Sequence, residues 1–321
     1  MVKRIAVLTS GGDAPGMNAA IRAVVRTAIH SGFEVFGVER GYQGVIDNRL
    51  VLMNSHSAGG ILQYGGTILK TARSEEFKTP DGFDVAIRNL KEHYIDYLVV
   101  IGGDGSMAGA VKVSAAGIET IVIPATIDND MAGTDYTIGF DTALNTVLDA
   151  TNKIRDTAAS HERVAVIEVM GRSAGHIALM AGLACGAETI LLPEKPVDID
   201  SVCQGLLRSY KRGKMYSIVM VAEGAGTGYD IASQIAERTS FKPHVTVLGY
   251  IQRGGSPSAT DNIIGSRMGA AAVASILKGE TNRLVASQNG QVITVPYESA
   301  KDFKQGINLE LYDLARILAM S

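Results

Sequence analysis

The chain has 321 residues, of which 46% are hydrophobic and 20% are charged, as in ordinary globular proteins. Its length exceeds what one compact core usually supports, so two domains are expected. The net charge of −3 and the lack of a long apolar run give no sign of a nucleic-acid or membrane partner. With Cys185 and Cys203 expected as buried thiols and no recognisable signal peptide, a cytoplasmic location is predicted.

The first predicted strand, Ile5 to Leu8, is followed by a glycine turn over residues 11–16 and a helix from about Asn18. The glycine spacing matches neither the dinucleotide-binding fingerprint nor the P-loop. The turn can still present backbone N–H groups to an anion at the start of a helix. Phosphate binding and a simple tight turn both remain open for this segment.

A second apolar run, Tyr97 to Ile101, ends in the glycine-rich segment GGDGS at residues 102–106. Glycines on both sides of a lone aspartate, Asp104, let phosphates approach the backbone while the carboxylate holds Mg²⁺, directly or through water. Capping of a helix by Asp104 or Ser106 is the alternative. The pattern favours a site for nucleotide phosphates and their metal ion.

The next predicted strand, Thr120 to Ile123, leads into the acidic loop PATIDND at residues 124–130. Two carboxylates as close as Asp128 and Asp130 are costly unless a cation or a reacting hydroxyl group uses them. One of them could accept the proton of a sugar hydroxyl, although the pair could also cap a turn. Together with the two glycine loops, this loop indicates an enzyme that phosphorylates a hydroxyl group.

The rest of the chain continues to alternate strand-like runs with helical patterns, which indicates an α/β fold with a mainly parallel sheet. Further strands are predicted at Val164 to Val169, Thr189 to Leu192, Ile218 to Ala222 and Val245 to Tyr250. A hairpin turn is predicted at Ser287 to Gln291, and Leu311, Leu314 and Leu318 mark a closing amphipathic helix. Because ligands of open α/β sheets bind at the carboxyl ends of strands, the loops after the strands are expected to converge.

Several of these later loops carry charge. Arg172 lies in a glycine-flanked turn, where it can reach a transferring phosphoryl group or form a surface ion pair. Glu223 follows another strand and offers a carboxylate to sugar hydroxyls, or is a solvated strand end. Arg253 lies in a further glycine turn. Arg22 and Arg26 share one face of the first helix, which is usually a solvated face.

Six segments of the chain form a specific combination. They are TSGGDAPGMNAAIR (9–22), GGDGS (102–106), TIDND (126–130), KIRDTAASHERV (153–164), EVMGR (168–172) and VLGYIQRGGSP (247–257). In this order they resemble the bacterial ATP-dependent 6-phosphofructokinase family over nearly the whole chain. The resemblance implies the phosphofructokinase fold, which is α/β with two Rossmann-like three-layer domains and mainly parallel sheets. It implies an ATP-binding domain at residues 1–138 plus 252–302 and a sugar-phosphate-binding domain at 139–251 plus 303–321.

The function that the resemblance implies is ATP-dependent phosphorylation of D-fructose 6-phosphate at its 1-hydroxyl to fructose 1,6-bisphosphate, a step of glycolysis. Family members are homotetramers that use Mg²⁺ with ATP. Asp128 would be the general base, and Asp104 and Asp130 would serve the metal side. The implied catalytic residues are Asp128, Thr126, Arg172, Asp130 and Gly12.

The resemblance also implies three binding sets. The ATP-binding residues would be Gly12, Arg73, Ser74, Gly103, Asp104, Gly105 and Ser106, with Asp104 as the metal ligand. The substrate-binding residues would be Thr126, Ile127, Asp128, Arg163, Met170, Gly171, Arg172, Glu223, His244, Tyr250 and Arg253. Some of those that hold the 6-phosphate would reach in from a neighbouring subunit. An effector site for ADP or phosphoenolpyruvate would use Arg22, Arg26, Arg155, Glu188, Arg212 and Lys214.

The chain departs from the family at two residues for the 6-phosphate. His244 replaces an Arg and Tyr250 replaces a His. An Arg clamps a phosphate with two charge-assisted bonds, whereas a neutral His or a Tyr gives one weaker bond. Weakened fructose 6-phosphate binding is therefore predicted, with stronger binding at low pH where His244 is protonated.

These departures keep two alternatives open. One is a kinase of another sugar phosphate, such as tagatose 6-phosphate or sedoheptulose 7-phosphate. The other is a regulatory paralogue with weak activity, against which the intact Asp104, Thr126, Asp128, Asp130 and Arg172 argue. A protein that only binds has no need of a base opposite a metal carboxylate.

The effector pocket departs as well. Ser55, Gly60 and Tyr216 stand where the family has Arg, Asp and His, so blunted control by phosphoenolpyruvate is predicted. His176 stands where Asp is usual, and the sequence alone offers no interpretation of it.

Two positions bear on the phosphoryl donor. Gly105 is similar to the ATP-using branch, because the pyrophosphate-using branch carries Asp there. At position 125 the ATP branch has Gly and the pyrophosphate branch Lys. Ala125 adds only a methyl group and no charge, so ATP is the predicted donor.

Overall fold

The computed structural model describes residues 2–303 and 306–319, and the chain divides into two compact units. Unit 1 comprises Met1–Thr126, Met131–Thr142 and Arg253–Gln305. Unit 2 comprises Ile127–Asp130, Ala143–Gln252 and Gly306–Ser321. The chain passes from one unit to the other several times, so neither unit is one continuous segment.

Strands and helices alternate along most of the chain. The strands are β1 (Arg4–Ser10), β2 (Glu34–Val38), β3 (Leu50–Met53), β4 (Tyr97–Gly102), β5 (Glu119–Pro124), β6 (Val164–Val169), β7 (Thr189–Leu191), β8 (Ser217–Ala222), β9 (His244–Val247), β10 (Arg283–Gln288) and β11 (Gln291–Pro296). The helices are α1 (Met17–His30), α2 (Gly41–Ile46), α3 (Pro80–Glu92), α4 (Asp104–Ala115), α5 (Phe140–Ser160), α6 (His176–Cys185), α7 (Ile199–Lys211), α8 (Gly228–Arg238), α9 (Ala259–Leu277), α10 (Tyr297–Asp302) and α11 (Leu309–Leu318). Within the described residues, none of these helices has the length and apolar character needed to span a bilayer.

Unit 1 is built on a seven-stranded sheet with the order β11-β10-β5-β4-β1-β2-β3. The strands from β10 to β2 are parallel, and the two edge strands β3 and β11 are antiparallel to their neighbours. All residues of β4 are buried, as expected for a parallel strand that is covered on both faces. Helices α1 and α9 pack against each other.

Unit 2 is built on a parallel sheet with the order β7-β8-β6-β9. Its core includes Val166 and Val219 from the sheet, Leu206 from α7 and Ile235 from α8, all of them buried. Two α/β sheets with mainly parallel strands confirm the predicted fold class.

The predicted hairpin is confirmed, because β10 and β11 pair and Asn289 and Gly290 at its turn have φ values of 50° and 75°. The predicted strand Val245 to Tyr250 is wrong beyond Val247. Gly249 has a φ of 53° and begins a 3-10 turn, which turns the chain away from the sheet. Helix α11 forms as predicted, but Leu318 on its leucine stripe is 67% exposed.

The Asn18 amide organises a long loop of unit 1. The side chain is 1% exposed, and its Nδ2 donates to the carbonyl oxygens of Ile61 and Gly66 at 3.1 and 2.7 Å. Its Oδ1 accepts from the Ile68 N–H at 2.9 Å. One buried side chain therefore holds the loop between β3 and α3 against the start of α1.

Asn18→Ala is expected to lower the free energy of unfolding by about 2–4 kcal/mol, because it leaves several buried backbone groups without partners. The exposed Asn152 on α5 provides the matched control, and Asn152→Ala should change stability by less than about 0.5 kcal/mol. Since the chain has no tryptophan, urea unfolding followed by far-UV circular dichroism is the suitable measurement. Equal unfolding midpoints for the two variants would contradict the role of Asn18.

Candidate active site

The carboxyl ends of three neighbouring strands meet at one edge of the unit 1 sheet. The register pairs Gly102 at the end of β4 with Ser10 at the end of β1 and with Pro124 at the end of β5. The glycine turn after β1, the GGDGS loop after β4 and the start of the acidic loop after β5 are therefore adjacent. Their predicted convergence is confirmed within unit 1.

The ends of β1 and β4 are in unusually close contact. A Cβ atom at Gly102 would lie 2.4 Å from the Ser10 carbonyl oxygen and 2.5 Å from Ser106 Oγ. Ser106 is 3% exposed, and its hydroxyl donates to the same carbonyl at 3.0 Å. The Ser106 side chain thus holds the two strand ends together, so any contact it makes with ATP would have to be through its backbone.

The start of α4 is open to a ligand. Helix α4 begins at Asp104, and both Asp104 and Gly105 are exposed. A Cβ atom at Gly105 would have no atom within 4 Å. A helix N-terminus attracts anions, so this exposed first turn is suited to phosphate groups.

The glycine turn after β1 is fixed by more distant residues. The Thr71 hydroxyl donates to the Gly11 carbonyl oxygen at 2.8 Å. The guanidinium carbon of Arg253 would lie 3.7 Å from a Cβ atom at Gly12. The guanidinium group of Arg253 therefore lies beside this turn. Sequence reasoning missed Thr71, because a contact between residues sixty positions apart leaves no local pattern.

Two residues predicted to bind ATP, Arg73 and Ser74, follow Thr71 in the chain. Arg73 is exposed. The Ser74 hydroxyl donates to Gln43 Oε1 at 2.7 Å and accepts from the Phe77 N–H at 3.0 Å. Ser74 thus binds the first residues of the 3-10 turn at Glu76–Lys78, a structural role for which its position in the sequence gave no signal.

The first residues of the acidic loop are held by a second segment of unit 1. Ala125 forms a parallel bridge with Ile138, and the Ile138 N–H donates to the Pro124 carbonyl oxygen at 3.1 Å. The Thr137 hydroxyl donates to the Thr126 carbonyl oxygen at 2.6 Å. The backbone at Thr126 is therefore fixed by the segment 137–139.

Within unit 2, the predicted base lies beside the predicted phosphoryl-stabilising cation. Arg172 Nε is 3.5 Å from Asp128 Oδ2. The Asp128 side chain is 3% exposed, whereas the Arg172 side chain is 54% exposed. Arg172 and Asn129 both have a φ of 52°, in the left-handed region, which Asn adopts more readily than Arg. The arrangement is a buried carboxylate whose neighbouring cation faces outward.

The turn that carries Arg172 is held by Glu223. The N–H groups of Gly171 and Arg172 donate to Glu223 Oε1 at 3.2 and 2.8 Å. Gly171 has a φ of 144°, and a Cβ atom there would lie 2.4 Å from the Ala174 carbonyl oxygen. Glu223 thus positions Arg172, a role beyond the sugar contact that its sequence position predicts.

A buried glutamine holds the start of the same turn. Gln252 is 0% exposed, and its Oε1 accepts from the Met170 N–H at 3.2 Å. Its Nε2 donates to the Gly249 carbonyl oxygen at 3.0 Å. Sequence reasoning missed this residue, although it stands in the motif VLGYIQRGGSP beside Arg253.

The predicted 6-phosphate residues are separated within unit 2. Tyr250, 78% exposed, follows β9 at the carboxyl edge of the sheet, where β6 ends just before Met170. Arg163 precedes β6, and His244 opens β9 opposite Ala165, so both lie at the amino edge. Five steps of about 3.3 Å along β6 place the two edges about 17 Å apart. One chain does not bring Arg163 and His244 together with Tyr250.

Unit 2 also gathers most of the predicted effector residues. Glu188 forms an ion pair with Lys214 and accepts from the Ile218 N–H. Arg155 donates to the Cys185 carbonyl oxygen. Glu188 and Arg212 line one cavity of about 450 Å³.

The remaining two predicted effector residues, Arg22 and Arg26, lie on α1 in unit 1. Arg26 donates to the Ser55 carbonyl oxygen at 3.4 Å.

The described residues contain no group of three or more His, Cys, Asp and Glu side chains that could hold a metal ion. Magnesium that accompanies a nucleotide needs only one or two protein carboxylates, because phosphates and water complete its shell. The exposed carboxylate of Asp104 at the carboxyl edge of the unit 1 sheet fits that requirement. Asp130, which is half-buried in unit 2, is a second carboxylate of suitable chemistry.

His176 is a buried histidine at the start of α6, 8% exposed. Burial lowers the pKa of His176, and the neighbouring carboxylates of Glu194 and Asp130 oppose this by a smaller amount. The folded protein therefore favours the neutral ring of His176. The stabilisation from keeping the ring neutral is complete above the unfolded-state pKa of about 6.5. It is lost as the pH falls below that value, because the unfolded chain then binds a proton more readily than the folded protein does.

His176→Gln is consequently expected to reduce the loss of stability between pH 7 and pH 5, because glutamine takes up no proton. Urea unfolding midpoints at each pH would measure this. His161→Gln, at an exposed position of the same unit, is the control and should keep the wild-type pH dependence. If His161→Gln changed the acid sensitivity as much as His176→Gln does, His176 would not be its source.

Comparison with known proteins bears on the family of the chain. A family model described as phosphofructokinase matches residues 4–276. A protein named ATP-dependent 6-phosphofructokinase from Clostridium botulinum is 52% identical over 318 residues, covering 99% of this chain and 100% of that protein. A protein of the same name from Halothermothrix orenii is 52% identical over 332 residues, with coverages of 99% and 100%. The solved phosphofructokinase of Saccharomyces cerevisiae is 36% identical with a TM-score of 0.88 over 99% of this chain, which spans 48% of the yeast chain.

Proposed function

Because the chain belongs to the phosphofructokinase family, we propose that it transfers the terminal phosphoryl group of ATP to the 1-hydroxyl of fructose 6-phosphate. The observation that carries this proposal is the buried Asp128 carboxylate beside the outward-facing guanidinium of Arg172, 3.5 Å away. Phosphoryl transfer needs a proton acceptor for the alcohol and positive charge on the phosphoryl group, and this pair supplies both.

In the proposed reaction, Asp128 accepts the proton of the 1-hydroxyl while the sugar oxygen forms its bond to the γ-phosphorus. The bond between that phosphorus and the bridging oxygen breaks, and ADP leaves. Arg172 stabilises the charge on the oxygens of the transferring group. Thr126 and Gly12 are proposed to support the same group through their backbones.

The residues of unit 1 are proposed to bind ATP. The exposed start of α4 at Asp104 and Gly105 would hold its phosphates, and the open space beside Gly105 suits a nucleotide donor. Mg²⁺ that arrives with ATP would be held by Asp104 and would neutralise the charge of the phosphates. Asp130, in unit 2, is proposed as a further catalytic carboxylate. Arg73 is proposed to reach the nucleotide from the exposed segment after Thr71.

The residues of unit 2 are proposed to bind the sugar phosphate. Met170, Gly171 and Glu223 lie at the carboxyl edge of its sheet, and Arg163 and His244 lie at the other. The separation of the two edges supports a homotetramer in which Arg163 and His244 serve the substrate site of a neighbouring subunit.

Effector binding of ADP or phosphoenolpyruvate is proposed as well. In unit 2 it would use the Glu188 and Lys214 pair with Arg155 and Arg212. Arg22 and Arg26 on α1 are proposed effector residues of unit 1. Since Ser55, Gly60 and Tyr216 provide fewer charges than the family pattern, control by phosphoenolpyruvate is proposed to be blunted.

The proposal is tested by measuring ADP release in a coupled assay with a panel of sugar phosphates. The largest kcat/KM is expected for fructose 6-phosphate with ATP, and pyrophosphate should not replace ATP. A larger kcat/KM for tagatose 6-phosphate or sedoheptulose 7-phosphate would establish the alternative acceptor. ADP release no faster than hydrolysis in the absence of sugar would instead point to a regulatory paralogue.

His244→Arg is expected to lower the KM for fructose 6-phosphate by about tenfold, because a guanidinium adds a charge-assisted bond to the 6-phosphate. His30→Arg, at an exposed position on α1, adds the same charge elsewhere and should leave the KM unchanged. Initial rates over a range of fructose 6-phosphate concentrations at saturating ATP measure both. The same KM for His244→Arg and the wild type would exclude His244 from the phosphate site.

A further inference from the structure

A buried carboxylate of unit 1 has no part in the chemistry described above. Asp261 lies in the first turn of α9 and is 0% exposed. Its two oxygens accept from the Gly139 N–H at 2.9 Å, the Thr142 N–H at 2.8 Å and the Thr142 hydroxyl at 2.5 Å. The carboxylate therefore caps the start of α5, a helix far from it in sequence.

The contact is reinforced by a second set of hydrogen bonds. The Ser258 N–H donates to the Thr142 hydroxyl oxygen at 2.9 Å, and Ser258 Oγ accepts from the Asp261 N–H at 3.1 Å. Asp261, Thr142 and Ser258 thus form a closed ring that joins the starts of α5 and α9.

Keeping an acid in this place has a cost. Burial raises the pKa of Asp261, and hydrogen bonds from Thr142 and Gly139 oppose that rise. A hydroxyl side chain could cap a helix without this cost. A carboxylate differs because both of its oxygens accept, so it can hold two separate backbone N–H groups at once.

The segment that Asp261 holds also fixes the acidic loop. Gly139 directly follows Ile138, whose N–H donates to the Pro124 carbonyl oxygen at 3.1 Å. One residue earlier, the Thr137 hydroxyl donates to the Thr126 carbonyl oxygen at 2.6 Å. A shift of the backbone at residue 139 would therefore pass to Thr126 through two short connections.

We infer that Asp261 is a positioning residue for phosphoryl transfer. It holds the segment 137–142, and this segment holds the Thr126 backbone where it can support the transferring phosphoryl group. The inference rests on the proposed function of this site. Asp261 touches no reacting atom, so it acts through Gly139, Thr142 and Thr137. Its removal should affect the transfer step more than the binding of ATP.

The first test is Asp261→Asn, which has nearly the same shape but turns one acceptor into a donor that faces an N–H group. The kcat with fructose 6-phosphate and ATP should fall about 10²-fold, as expected for a displacement near 1 Å at a reacting centre. The KM for ATP should change by less than about threefold.

Asn89→Ala is the matched control for a loss of buried hydrogen bonds in the same unit. Asn89 is 7% exposed, and its Nδ2 donates to the carbonyl oxygens of Val45 and Ile46, both at 2.9 Å. These bonds join α3 to the end of α2 and have no link to Thr126. Asn89→Ala should lower the unfolding midpoint while kcat stays within about twofold of the wild type.

A pair of variants at Thr142 keeps the test valid if Asp261→Asn fails to fold. Thr142→Ser retains the hydroxyl and should keep kcat near the wild-type value. Thr142→Val removes the hydroxyl and should lower kcat at least tenfold, because the segment then loses a contact that positions it. Added to Asp261→Asn, Thr142→Val should lower kcat little further, because both changes break the same connection between Asp261 and Thr142.

Hydrogen exchange provides a readout that does not depend on activity. In Asp261→Asn, the amides of residues 138, 139 and 142 should exchange faster, while Asn89→Ala should leave them unchanged. If Asp261→Asn kept a kcat as near to the wild-type value as Asn89→Ala does, the inference would be overturned. If the wild type itself failed to phosphorylate fructose 6-phosphate, the proposed function would fail, and faster exchange would still show that Asp261 holds the segment.

Discussion

Asp128→Asn is expected to lower kcat by about 10³-fold, with little change in the KM for fructose 6-phosphate. An amide has the size of the carboxylate and can still accept a hydrogen bond from Arg172, but it cannot take the proton of the sugar hydroxyl. Because the exchange also removes a buried charge, the unfolding midpoint should stay the same or rise. A large loss of activity without a loss of stability would show that Asp128 is kept for chemistry.

Asp200→Asn is the control for this change. Asp200 is an exposed aspartate of unit 2, with a side chain 79% exposed and a hydrogen bond from Arg238 Nε at 3.0 Å. Its variant should keep kcat within about twofold of the wild type. Turnover of Asp128→Asn within tenfold of the wild type would remove Asp128 from the role of base, and with it the mechanism proposed above.

Arg172→Ala is expected to lower kcat by about 10²–10³-fold, because it removes the charge that balances the transferring phosphoryl group. Arg172→Lys should recover only part of the loss, since an ammonium group lacks the planar fork of donors. Alanine and lysine would both have to adopt the φ of 52° found at position 172. Backbone strain therefore does not account for a difference in kcat between the two variants.

Arg238→Ala serves as the control, since Arg238 also pairs with a carboxylate of unit 2 and its side chain is 40% exposed. Steady-state kinetics should show it unchanged. In the double variant with Asp128→Asn, the loss from Arg172→Ala should be smaller than in the wild-type background, because base and cation act in one step. Additive losses would mean that Arg172 does not act on the step that Asp128 assists.

Much of the fold could be predicted because parallel strands that are buried on both faces appear as continuous apolar runs. The strand Val164 to Val169 was predicted with its observed bounds. Strands β2 and β3 were not predicted. Strand β3 is only four residues long, LVLM, and lies at the edge of the sheet, where Val51 and Leu52 are exposed. The end of β9 was misplaced because apolar residues continue past Val247 with Leu248 and Tyr250, and the chain turns at Gly249, where φ is 53°.

The residues proposed to touch ligands have a local sequence pattern, whereas those that hold the loops do not. Asp128 and Arg172 stand in loops with a local pattern of charges and glycines. Thr71, Gln252 and Asp261 act through hydrogen bonds to segments that are distant in sequence, and no spacing rule relates such partners. Candidate ligand contacts can therefore be proposed from a motif, whereas the residues that position their loops are identified only from the fold.

The division of the chain between the two units has a consequence for biosynthesis. Unit 1 begins with β1, but its helix α9 and strands β10 and β11 come after residue 253, once most of unit 2 has left the ribosome. Strand β5 would wait for its neighbour β10 with an unpaired edge, a state prone to association with other nascent chains. We therefore expect the N-terminal half to depend on a holding chaperone during translation, and a transcript that stops before codon 253 to yield aggregated product.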